Sequence, residues 1–166
     1  MKFIVLKASV LMMVCFLSIS CTKDMDIDAI EALQKELNVG RYSSLENEVL
    51  ILLNDFRTSQ GMEALKRAAV ISSVSENHTQ YMINSDEISH DNFVKRHREL
   101  VSKANATQVG ENVAFGYSSA RGVVNGWQTS DAHRAIILTK SYTHFGISVS
   151  ADAQGRNYFT NIFIER

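Results

Sequence analysis

HFGISVSADAQGRNYFTNIF, residues 144–163, is the stretch that decides the fold class. Its two halves, His144–Ser150 and Asn157–Phe163, are rich in aromatic and β-branched residues, which suit a pleated, half-buried surface. The turn between them runs from Asp152 to Gly155, so the stretch predicts an antiparallel hairpin. Upstream the apolar residues recur at helical spacing instead. Helices first and strands last, without βαβ alternation, predict an α+β domain.

Working back from the hairpin, Val123, Val124 and Trp127 set a helix over 120–130, and a further short helix over 131–138 follows it. The segment after Gly110 reads as a turn leading into an extended or loosely helical stretch. Before it lies a basic helix from about Phe93 to Ser102, preceded by the polar loop SDEISHDNF. Two amphipathic helices open the domain. One carries Val49, Leu50, Leu53 and Phe56, with Ser44 as N-cap and Gly61 as stop. The other spans about 68–84 and turns Ile71, Val74, His78, Tyr81 and Met82 to one side.

The whole chain has 166 residues, enough for one domain with a real core. Its formal net charge is −1, and no Lys/Arg-rich run occurs, which argues against nucleic acid as a partner. Residues 1–20 have the form of a secretory signal: Lys2 and Lys7, an uncharged stretch from Ala8 to Ile19, then small Ser20. The ending Ser18-Ile19-Ser20-Cys21 resembles a bacterial lipoprotein cleavage box, which would make Cys21 the lipid-carrying first residue of the mature chain. Cys15, the only other cysteine, would leave with the signal, so the mature domain is expected without disulfides. Residues 21–44 read as a polar tether and 45–166 as the domain. The expected location is the cell envelope, anchored to a membrane and facing the periplasm or cell surface. A monomer is expected.

Five histidines are candidates for chemistry, since imidazole is the side chain most readily used as base, ligand or switch. His78 lies on an apolar helix face and reads as a satisfied core histidine. His97, among Lys95, Arg96 and Arg98, reads as a solvated helix face, and His144 as a packing residue. His90, in a polar loop, and His133, opening a helix, have no obvious packing reason. Glu111 raises the opposite question, because VGENVAFGY (109–117) sets a carboxylate in an apolar run. A buried carboxylate needs a cationic or hydrogen-bonding partner.

The ordered set ISHDNF (88–93), GENVAFGY (110–117), GWQTSDAHRAIIL (126–138), HFGISV (144–149) and YFTNIF (158–163) resembles the CAP superfamily, in its compact bacterial form. That superfamily includes cysteine-rich secretory proteins, insect antigen 5 and plant pathogenesis-related proteins of group 1. The resemblance implies a three-layer α-β-α sandwich with a small antiparallel sheet. It also implies a cleft that gathers His90, Glu111 and His133. Many eukaryotic members carry a second glutamate at the position that matches Ser130 here, which leaves Asp131 as the neighbouring acidic candidate.

Two histidines and one carboxylate could fix a proton position or complete a site for a divalent cation, and with an open position they would suit zinc held by His90 and His133. Three readings follow. The first is a module that binds a lipid, glycan or peptide in the His/Glu cleft. It is favoured by the missing GxSxG elbow and the absence of a cysteine in the mature domain. The alternative is a hydrolase, a peptidase using water activated at the same residues. A triad of Ser130, Asp131 and His133 is disfavoured because adjacent residues seldom converge, and Ser130 reads instead as a helix cap. In the third reading the trio is a buried polar network that fixes loop packing.

Overall fold

The computed structural model describes residues 42–166. The signal, Cys15, Cys21 and the tether up to residue 41 lie outside the described residues. The elements in order are α1 (Ser44–Ser59), β1 (Lys66–Arg67), α2 (Ala69–Ser85), α3 (Phe93–Ala104), β2 (Gln108–Phe115), α4 (Ala120–Thr129), α5 (Asp131–Ile137), β3 (His144–Ala151) and β4 (Asn157–Glu165).

The C-terminal hairpin is the centre of the molecule. Strand β4 pairs antiparallel with β3 on one side and with β2 on the other, in the sheet order β1-β3-β4-β2. Its seven inner residues are all buried, because helices cover both faces of the sheet. Side chains alternate across a strand. Ile162 and Ile164 pack with Ile71 and Val74 of α2 and Leu100 of α3. Phe159 and Phe163 point the other way, to Val49, Leu50 and Leu53 of α1 and Val123 and Trp127 of α4. The result is an α+β sandwich in three layers. A two-residue strand, β1, pairs parallel to β3 and makes the sheet mixed; two charged residues gave no strand signal beforehand.

Local chemistry explains the first helix. Ser43, one residue earlier than expected, is its N-cap: it accepts from Glu46 N–H at 3.2 Å while the Glu46 carboxylate accepts from Ser43 N–H at 2.7 Å, a capping box. At the other end, Arg57 turns inward with 1% exposure. Its guanidinium donates to the carbonyls of Ile137 and Thr139, so α1 caps the end of α5.

Two expectations need correction. The segment around Gly110 is no turn but the interior of β2, a strand buried from Val109 to Ala114. Gly110 serves close approach there, since a Cβ would stand 2.3 Å from the Tyr142 hydroxyl and 3.1 Å from Ile136. Ser130 occupies the N-cap position of α5, but its side chain makes no capping hydrogen bond.

Candidate functional site

Strand β2 lies at the edge of the sheet, and consecutive residues of its GEN segment reach to opposite faces. Glu111 faces the layer of α2 and α3. Its side chain is 1% exposed and receives three short hydrogen bonds. His90 Nδ1–H donates to Oε1 at 2.8 Å, Arg96 Nη2–H to Oε1 at 2.6 Å and Arg96 Nε–H to Oε2 at 2.7 Å. The guanidinium therefore holds the carboxylate bidentately, the geometry in which such pairs are strongest. Burial alone would raise the Glu111 pKa, yet the bonds from His90 and Arg96 and the charge of Arg96 hold it below the ordinary carboxylate range. Glu111 is an anion at neutral pH.

His78 backs this cluster from α2. Its Nε2–H donates to the Ser89 carbonyl at 2.8 Å, which makes it a satisfied core histidine, and the same nitrogen stands 3.8 Å from Glu111. Burial lowers its pKa more than Glu111 raises it, so the ring is neutral. Arg96 also donates to the Asp91 carbonyl and so ties the SHDNF loop to α3.

The decisive partner is thus Arg96, a residue that the sequence pattern groups with His97 on a solvated basic face. A signal for it was present. Phe93, Arg96, Leu100 and Ala104 fall at i, i+3, i+7 and i+11, one stripe of the helix, and a buried acid elsewhere in the chain required a cation.

His133 sits apart from the carboxylate. It lies half-buried near the start of α5, on the other side of the edge strand, and its carbonyl accepts from Asn112 Nδ2–H at 3.2 Å. Burial, then the charge of nearby His90, lower its pKa, so this ring too is neutral at pH 7. The structure joins His90 to Glu111 directly and places His133 within electrostatic reach of His90, with no bond to Glu111. Asp131 does not replace the second acid: its carboxylate is 91% exposed and pairs with Arg134 at 2.7 Å on its own helix.

Between α3 and α5 a cleft of about 370 Å³ opens over the edge strand, lined by His90, Phe93, Val109, Gly110, Ile136 and Tyr142, with Glu111 at its base. His90 is the polar group that reaches it from the cluster, being 52% exposed. With Nδ1 committed to Glu111, Nε2 is its one available nitrogen. Such an atom can accept a proton, donate one, or bind a ligand.

This fold is shared with known proteins. Residues 50–163 match the family model of CAP, the cysteine-rich secretory protein family. The chain belongs to the CAP family. Among curated relatives, this CAP chain is 30% identical over 126 residues to the uncharacterized membrane protein YlbC of Bacillus subtilis (strain 168), covering 73% of this chain and 34% of YlbC. It therefore spans about a third of that relative's length. Among solved structures it resembles an outer surface protein from Borrelia burgdorferi, with a TM-score of 0.65, 17% identity, and coverage of 75% of this chain and 96% of that one. It also resembles an extracellular SCP-domain protein from Bacillus anthracis str. Ames, with a TM-score of 0.65, 22% identity, and coverage of 73% and 40%. The bacterial relatives are thus membrane or extracellular proteins. No helix among the described residues is long and apolar enough to cross a membrane.

Two more distant CAP folds were solved with metal, NaASP2 with Zn2+ and Ac-ASP-7 with manganese. The residues here do not fit a resident ion. Among the described residues no three His, Cys, Asp or Glu side chains gather where they could hold one. Arg96 and His90 occupy both oxygens of Glu111, leaving His90 Nε2 and His133 as two donors, where an open zinc site uses three protein ligands.

Proposed function

We propose that this CAP domain is an extracytoplasmic binding module, tethered to a membrane by lipid on Cys21, whose cleft between α3 and α5 takes an apolar group with a single polar end. The observation that carries this reading is how Glu111 is held. A carboxylate that is buried and bonded on both oxygens by Arg96 and His90 is spent on holding these two side chains, and what it offers the cleft is the orientation of His90. The cleft walls are Phe93, Val109, Ile136 and Tyr142, which suit an acyl chain or an apolar peptide side chain better than a sugar. His90 Nε2 supplies a polar contact at the cleft, whose wall also carries the Tyr142 hydroxyl.

Titrating the purified protein with a short-chain phosphatidylcholine, a chito-oligosaccharide and an apolar tripeptide, followed by amide NMR shifts, tests this. The acyl or peptide probe should move the signals of Phe93, Gly110 and Ile136, and Ile136→Arg should abolish the response. Shifts that survive Ile136→Arg, or no shifts with any probe, would count against the cleft.

A hydrolase is the second reading, and the His90–Glu111 pair is what favours it. With Nδ1–H held by the carboxylate, Nε2 is oriented toward the cleft as the nitrogen that could take a proton from a water there. Cleavage of a peptide library that is lost in His90→Ala, at unchanged melting temperature, would move the assignment to it.

A further inference from the structure

The residue after Glu111 faces a different problem. Asn112 lies directly opposite Asn161 in the β2–β4 ladder, and both are fully buried on the face covered by α1, α4 and α5. Asn112 Nδ2–H reaches outward to the His133 carbonyl at 3.2 Å. Asn161 Nδ2–H reaches the opposite way, to the Gly146 carbonyl in β3 at 2.7 Å. Strand β4 lies between β3 and β2, so the two nitrogens point away from each other. Directly opposed residues of an antiparallel pair hold their Cβ atoms about 4.5–5.5 Å apart, so the two carboxamides are neighbours across the β2–β4 seam while each nitrogen is engaged elsewhere. Neither Oδ1 has a hydrogen-bond partner among the described residues. Two neighbouring buried acceptors without donors are unfavourable, and buried polar groups are as a rule satisfied.

We infer that one water molecule occupies this seam and donates an O–H to each Oδ1. Water matches the amide pair in valence: two donors for two acceptors, with no net charge to desolvate. Asn161 is flanked on its face by Phe159 and Phe163, so a bare cation would have two amide oxygens and aromatic surroundings. Buried waters of this kind bridge otherwise unsatisfied groups.

The water has a consequence for the site. By engaging Oδ1 it fixes which way the Asn112 amide faces, and so keeps Nδ2–H on the His133 carbonyl. Asn112 is then the positioning residue for His133, as Arg96 with Glu111 is for His90. Adjacent residues of one edge strand set the two histidines from opposite faces of the sheet.

The test combines a high-resolution crystal structure with NMR on the same purified protein. Density for a buried water within hydrogen-bonding distance of both Oδ1 atoms is the expected result. An Asn112–Asn161 amide contact, an empty seam, or a peak at metal–oxygen distance would each overturn the inference. Asn161→Leu, which removes no hydrogen bond to α5, should shift the His133 carbonyl carbon signal while leaving that of His90 in place. Asn112→Asp, which keeps an acceptor but loses the donor, should shift it further. An unmoved His133 carbonyl in both variants would overturn the positioning role.

Discussion

The two faces of strand β2 solve the same difficulty in different ways. On the α2–α3 face a full charge is buried, and Glu111 is matched by Arg96 and His90 with hydrogen bonds on both oxygens. On the α5 face two neutral amides are buried, and each keeps one oxygen unpartnered by the described residues. The difference follows from what each group costs. An unpaired buried ion is prohibitive, whereas a neutral acceptor can be satisfied by one small molecule. The charged cluster here is therefore closed by side chains, whereas the neutral pair is left to the inferred water.

The sharpest way to break this contrast is to open the charged side. Arg96→Met leaves Glu111 buried without its guanidinium and should cost roughly 3–5 kcal/mol in urea unfolding. Adding Glu111→Leu should recover most of that loss, because no charge then remains to be stranded. Recovery that fails would show that Arg96 acts mainly through the Asp91 carbonyl and the loop.

Next in size is the packing of the strand's small residue. Gly110→Ala should cost about 1–3 kcal/mol by overpacking against the Tyr142 hydroxyl, and Tyr142→Phe should relieve part of it. Thermal unfolding of the single and double variants reads this directly. Ser43→Ala removes the cap of α1 and should cost about 1 kcal/mol by the same measurement, with no change at the cleft.

The smallest effect concerns pH. His78 and His133 have lowered pKa values in the folded chain, so their neutral forms are favoured by folding. Their contribution is complete above the unfolded value near 6.5 and declines as pH falls below it. Glu111, also lowered, contributes above the ordinary carboxylate value near 4.5 and loses that contribution as pH falls through its folded pKa. Stability should therefore fall in two stages on acidification. His133→Ala should flatten the first stage slightly, and Glu111→Gln the second.

Much of this architecture was legible beforehand. Three of the described helices, α1, α2 and α4, carry apolar stripes at helical spacing, and the hairpin carries its own turn, so their order alone predicted an α+β domain. The ordered motifs identified the CAP family. What sequence reading missed has a common cause. Arg96 looks like one of several cations on a basic helix until its phase is aligned with Phe93 and Leu100. Gly110 looks like a turn because nothing in the chain announces that Tyr142 will press against it. Ser43 and Ser44 are equivalent as letters, and only the reach of Glu46 chooses between them.

By itself, then, the sequence determined which faces are apolar and which residues carry unusual groups for their surroundings: Glu111, His90 and His133. These are properties of spacing and of side-chain chemistry, which a linear pattern contains. The tertiary structure alone decided that Arg96 neutralises Glu111, that His133 stands across the edge strand from it, and that Asn112 meets Asn161. Each depends on which elements become neighbours, and on directions set by the alternation of side chains across β2. Burial then turns those juxtapositions into requirements, because a charge or an amide removed from water must find its partner where the fold has put one.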